Sequence, residues 1–249
     1  MEGKAQQLIL DLPHRQALGR EDFLVTSTNK EAVALIDQWP NWPGHAAIIV
    51  GPAGSGKSHL VEVWRQASGA NLVHRLAFED VPDAINNGAL AIEDLHNTNT
   101  NIDERAIFHA INLAKQQNAK ILFTSRMRPA TQNFTIPDLA SRLNAMPIVN
   151  ILAPDDALLR GVLVKLFTDR QINVDEALIS YLLLRMPRSL EAARTLVAET
   201  DRLAFEQKAE ITKHFVAKVL NTMTSPDYLR QLNEAFTKLL KLTIIKTVF

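Results

Sequence analysis

GPAGSGKS, residues 51–58, is the stretch whose residue types and spacing point most directly to chemistry. It fits G-x-x-x-x-G-K-S, a loop that cradles nucleotide phosphates, and it lies between a strand-like run and a helical one. Glycines at 51, 54 and 56 let backbone N–H groups curl around phosphate oxygens with no Cβ in the way. Lys57 brings a point charge to the terminal phosphates, and Ser58 brings a hydroxyl to Mg²⁺. The helix that follows adds the positive end of its dipole. The expected cofactors are ADP or ATP with Mg²⁺, held by Gly51, Pro52, Ala53, Gly54, Ser55, Gly56, Lys57, Ser58 and His59.

ALAIEDLH (89–96) is a strand-like run that ends in Glu93 and Asp94. At this strand end, phosphate-loop enzymes present one acid to Mg²⁺, and many ATPases use the next to polarise water. Ser58 and Glu93 are therefore the metal candidates, with Glu93 and Asp94 the acidic catalytic candidates. FTSR (123–126) ends another strand with polar side chains where a γ-phosphate would be sensed. Two arginines complete the set: Arg142 in LASRLNAM and Arg188 in MPRSLEAA. An arginine at a helix start works against the helix dipole, so Arg188 calls for a reason.

These residues need a scaffold. AAIIVG (46–51), NLVHRLA (71–77), ALAIED (89–94), KILFTS (120–125) and PIVNIL (147–152) read as five strands. Their apolarity is continuous rather than alternating, which predicts a parallel sheet covered on both faces. SHLVEVWRQAS and DERAIFHAINLAKQQ between them carry helical periodicity. After APDD (153–156) the pattern turns wholly helical, through DALLRGVLVKLFTDRQ, DEALISYLLLRM, SLEAARTLVAETDRLAFEQ and TKHFVAKVLNTM. The expected architecture is an α/β domain over 19–153 and a small all-α domain over 154–223. Residues 1–18 and 224–249 flank them, and in the tail Leu229, Leu232, Phe236 and Leu239 share a helical face.

Bulk composition narrows the class. With 27 basic and 27 acidic residues in 249, the chain is not built to grip nucleic acid chiefly by neutralising phosphates. The absence of cysteine excludes disulfides, thiolate metal sites and a cysteine nucleophile. No signal-peptide pattern and no long apolar run are present, so the expectation is a cytoplasmic protein without a membrane partner.

Phosphate loop, acidic pair, polar strand end, Arg142 and Arg188 occur in the order found in AAA+ ATPases. GREDFLVTSTNKEAVALIDQW (19–39) resembles the opening of the DnaA-like branch. Within it, over about residues 5–222, the chain is similar to the Hda family in its alphaproteobacterial form. These proteins are regulatory inactivators of the replication initiator DnaA. The resemblance implies a P-loop AAA+ domain with a five-stranded parallel sheet and an α-helical lid. It places Thr124 and Ser125 at sensor 1, Arg188 at sensor 2, and Arg142 as an arginine finger acting in trans on DnaA's ATP. QLILDL (7–12) resembles the peptide by which this family docks on the sliding clamp, the ring-shaped β subunit of the replicative polymerase. Gln7 would fill a polar subsite and Leu8, Leu10 and Leu12 apolar ones, as an extended peptide with alternating side chains can do.

The implied role is inhibition of over-initiation, with DnaA and the clamp as partners; a homo-oligomer is left open. The two acids depart from the family pattern. Glu93 replaces the usual aspartate beside Mg²⁺, and Asp94 is shorter than the usual glutamate, so intrinsic hydrolysis is expected to be weak. A sequence-specific DNA-binding domain is not expected, because only about 25 residues follow the lid. FEDVPDAINNG (78–88) has room for one short helix at most, too little for a single-strand-binding insertion. The alternatives are an AAA+ helicase loader or DnaA-like remodeller that hydrolyses its own ATP, and a small-molecule P-loop kinase.

Overall fold

The structure, a computed structural model, describes residues 24–95 and 103–223. The hexamer with Gln7, Leu8, Leu10 and Leu12 and the tail with Leu229, Leu232, Phe236 and Leu239 lie outside the described residues. A short helix, α1 (Lys30–Asp37), leads into β1 (Ala46–Val50), the loop, and α2 (Lys57–Ser68). Then come β2 (Asn71–Val73), a 3₁₀ turn at Phe78–Asp80, α3 (Val81–Ala84), β3 (Ala89–Ile92) and α4 (Glu104–Gln117). β4 (Lys120–Ser125), α5 (Pro137–Asn144) and β5 (Ile148–Asn150) complete the α/β part.

All strand pairs are parallel, in the order β2-β3-β4-β1-β5. Alternate side chains feed two cores. Ile48, Leu90, Ile92, Ile121 and Phe123 pack with α3, α4 and α5 on one face. Ala47, Ile49, Ala89, Ala91 and Leu122 pack with α1 and α2 on the other, beside Trp42 and Trp64. This double covering is why the central strands read as unbroken apolar runs.

The edge strands are shorter than their runs suggest. β2 stops at Val73 because His74 and Arg75 turn out to solvent, although Leu76 is buried again. β5 spans three residues, yet Ile48 N–H bonds Pro147 O and Ile151 N–H bonds Val50 O on either side of it.

The helical part comprises α6 (Asp156–Thr168), α7 (Glu176–Leu183), α8 (Leu190–Gln207) and α9 (Lys213–Met223). All four of these helices begin on a capping side chain, α9 on Thr212, which accepts from Phe215 N–H. Asp155 accepts from Leu158 N–H, Asp175 from Leu178 N–H and Ser189 from Ala192 N–H. Their apolar faces close on a core of their own, with Leu159, Leu163, Phe167, Leu182 and Leu196 fully buried. No helix among the described residues is long and apolar enough to cross a membrane.

Gly54 is where the helical part meets the α/β part. Its φ is +69°, and a Cβ there would run into the Ser189 side chain. Leu190 N–H donates to Gly54 O at 2.9 Å, so α8 begins on the loop itself. Gly54→Ala is expected to cost about 1–3 kcal/mol, through the left-handed backbone and the displaced α8 start. Thermal unfolding of the variant measures it. An unshifted midpoint would mean that α8 is not seated on the loop.

Candidate functional site

The loop grows out of β1, whose five residues are all buried. Gly51 N–H donates to Ser125 O at 3.0 Å, tying the loop's first residue to the end of β4. A Cβ at Gly51 would lie 2.6 Å from Ile151 O and 2.9 Å from Ser55 Oγ, so glycine is required by space alone. Gly56, at φ +102°, turns the chain into α2. Lys57 is buried, and its Nζ donates to Gly51 O at 2.7 Å and Pro52 O at 2.8 Å. Burial pushes the ammonium below the usual lysine range; Asp94 and Glu93 oppose that shift and Arg126 adds to it. Ser55 Oγ is buried with no hydrogen-bond partner, while Ser58 is exposed on the first turn of α2.

β3 delivers the acids beside this loop. Asp94 adopts φ +55° and its N–H donates to Thr124 Oγ1 at 3.1 Å; Leu95 N–H donates to Thr124 O at 2.9 Å. The end of β4 thus clamps the acidic turn. Of the two polar residues ending β4, Thr124 faces this turn and Ser125 serves another. Ser125 Oγ donates to Met127 O at 2.7 Å and accepts from Gln132 Nε2 at 3.1 Å, bracing the bend after the strand. Asp94 Oδ2 lies 3.9 Å from a guanidinium nitrogen of Arg126.

Arg188 lies next to Ser189, at the point where α8 touches Gly54. Its guanidinium bonds Asp156 Oδ1 at 2.6 Å, a pair with both side chains more than half exposed. Such surface pairs are worth little and exchange readily. Arg194, in the second turn of α8, reaches across to α2 and lies 2.9 Å from His59 Nδ1. Burial works against its charge, with Glu191 countering. A guanidinium can only donate, so the Nδ1 lone pair accepts here.

Arg142 lies on α5, where its Nε donates to Asp138 Oδ2 at 3.1 Å and a terminal nitrogen to Asn112 Oδ1 at 2.5 Å. Its guanidinium carbon stands 4.6 Å from the centre of the Phe108 ring, a cation–π contact. All three partners belong to α4 and α5, and none to the loop.

The structure thus brings Lys57, Glu93, Asp94 and Thr124 together around the loop and seats Arg188 at its lid side. Arg142 is held by other helices. Sequence reasoning missed Arg126 and Arg194. Arg126 closes the quoted FTSR, so its position was in view; the order β3-β4 that brings it to Asp94 was not. Arg194 sits inside an ordinary amphipathic helix and carried no signal.

The sequence matches no family model, and no curated protein matches it at a significant level. Solved structures do share its fold. Domain III of the Thermotoga maritima replication initiation protein DnaA superposes with a TM-score of 0.69, at 16% identity, over 84% of this chain and 98% of that one. AMPPCP-bound DnaA from Aquifex aeolicus gives 0.57 at 18% identity, over 76% and 66% of the two chains. The Thermotoga maritima RuvB Holliday junction branch migration motor gives 0.60 at 15% identity, over 80% and 69%. The chain has the AAA+ fold: a five-stranded parallel sheet flanked by helices, followed by a helical C-terminal part.

Proposed function

We propose that the chain is a nucleotide-binding AAA+ regulator of replication initiation that docks on the sliding clamp and promotes hydrolysis of ATP bound to DnaA. Several features of the loop suit a nucleotide phosphate. Space at Gly51 and Gly54 excludes a side chain, Lys57 is buried against the loop's own carbonyls, and Ser55 presents an orphaned buried hydroxyl. ADP or ATP would be held by residues 51–58 with His59 and Arg188 at the margin, and Mg²⁺ by Ser58 and Glu93. Bound Mg²⁺ supplies neutralisation of phosphate charge. The neighbouring fold of AMPPCP-bound DnaA supports the same reading.

The observation that carries the regulatory part is the anchoring of Arg142. Its guanidinium is fixed by Asp138, Asn112 and Phe108, well braced yet with over a third of the side chain exposed. A braced, accessible arginine with no tie to its own loop suits action on a nucleotide held by another molecule. Stacking and hydrogen bonding fix the guanidinium plane before any encounter, lowering the ordering cost on association. The weak-acid pattern of Glu93 and Asp94 agrees: this chain is suited to hold its own nucleotide rather than turn it over rapidly.

A loader or remodeller of the same fold would hydrolyse its own ATP and have no use for the clamp peptide. A P-loop kinase would carry its lid within the α/β part, whereas these helices follow β5. Clamp docking tests the proposal cheaply. Gln7→Ala combined with Leu8→Ala should abolish co-elution with the clamp, since one buried leucine is worth about 1.5–3 kcal/mol. Melting and nucleotide affinity should stay unchanged. Co-elution of the double variant with the clamp would make the hexamer merely structural.

A further inference from the structure

We propose that the helical part carries a phosphate-contacting patch, Tyr181 with Arg185 and Lys213, by which the chain touches the backbone of duplex DNA beside the clamp. The inference rests on the clamp reading for its setting and adds a surface outside the nucleotide loop.

Tyr181 lies in α7, Arg185 two residues past the end of that helix, and Lys213 opens α9. The guanidinium carbon of Arg185 stands 4.1 Å from the centre of the Tyr181 ring, and the Lys213 ammonium 5.1 Å from it. The ring is half-buried against the core of the helical part, whereas both cations are exposed. Among the described residues neither cation forms an ion pair. An aromatic face attracts a cation but cancels none of its charge. Two like charges gathered on one ring without an acid repel each other, and an incoming anion removes that cost.

The sequence keeps acids out of both stretches. None occurs between Glu176 and Glu191, and none between Glu210 and Asp227, while the same stretches hold Arg185, Arg188, Lys213 and Lys218. Arg188 is engaged by Asp156. A chain of zero net charge thus concentrates uncancelled positive charge where α7 meets α9. The patch suits phosphate rather than a base, because the ring on which a base would stack already holds cations. A phosphate contact positions a duplex without reading its sequence. In the proposed role the chain works on a clamp threaded on DNA, which makes duplex phosphate the anion at hand. Two such contacts grip weakly alone and add to clamp docking.

Fluorescence anisotropy of a labelled duplex with the full chain, over a salt series and without clamp or DnaA, tests this. Arg185→Ala combined with Lys213→Ala should weaken binding about tenfold and reduce the slope of log affinity against log salt by about two, one per phosphate contact. Nucleotide affinity, clamp co-elution and the melting midpoint should stay at wild-type values. Arg202→Ala, which removes a cation already held by Glu199 and Glu206, should leave DNA binding unchanged. Wild-type protein that binds no duplex, an unchanged slope in the double variant, or an equal loss in Arg202→Ala would overturn the proposal. So would capture of polyglutamate in preference to DNA. Failure of the clamp reading shows separately, as wild-type protein that does not co-elute with the clamp.

Discussion

Arg142→Ala is expected to leave nucleotide binding and clamp binding intact while reducing stimulated hydrolysis of DnaA-bound ATP by roughly 10³–10⁵. The size follows from what such an arginine does. Negative charge spreads over the transferring phosphoryl group, and a preorganised guanidinium stabilises it without reorganisation at the moment of reaction. Here the preorganisation has named parts: Asp138 one turn away on α5, Asn112 on α4, and the Phe108 ring beneath the guanidinium. Arg142→Lys should not rescue the loss, because an ammonium cannot reproduce the planar fork. Asn112→Ala and Phe108→Ala should cost less, since they release Arg142 without removing it. The rate to follow is conversion of radiolabelled ATP to ADP on DnaA with DNA-loaded clamp. Near wild-type conversion by Arg142→Ala would make Arg142 a surface charge.

Lys57→Ala carries the next largest effect. It removes the buried ammonium that bonds Gly51 O and Pro52 O, so the loop loses both a phosphate-facing charge and an internal brace. Gly51 O, left without its donor, costs about 1–3 kcal/mol where water cannot replace it, while Pro52 O still accepts from Ser55 N–H at 3.4 Å. Nucleotide binding should therefore fall at least about a hundredfold in calorimetry, for ADP and ATP analogue alike. Circular dichroism on the same sample should retain the wild-type helical content, because the sheet and both its cores lie elsewhere. An unchanged dissociation constant would remove the nucleotide reading.

Much of the fold was legible in the sequence because its signals are local. The central strands are buried on both faces, and that burial writes itself as AAIIV and KILFTS. The loop motif is contiguous, and four lid helices carry their own periodicity. Two helices escaped notice. α1 and α5 span only eight residues each. The start of α5 also depends on a distant residue: Glu104, on α4, accepts from Thr135 N–H and Ile136 N–H, both at 2.9 Å. No local reading contains that contact.

The site divides in the same way. Lys57 and Gly54 follow from the loop motif, and the placement of Glu93 and Asp94 follows from a strand that ends in acids. The differing tasks of Thr124 and Ser125 do not. Both are buried polar residues at one strand end, and only the bend at 125–132 claims the serine. Arg188 was visible as a misplaced charge at a helix start, whereas Arg194 needed α8 and α2 to be side by side before its contact with His59 existed.

The fate of radiolabelled ATP on purified DnaA, with this chain, DNA and clamp added singly and together, tests the proposed regulatory role. The proposed role requires rapid conversion to ADP only when the chain, DNA-loaded clamp and DnaA are all present, and slow turnover by the chain alone. Unchanged DnaA-bound ATP in the full mixture, with brisk ATP consumption by the chain on its own, would contradict it.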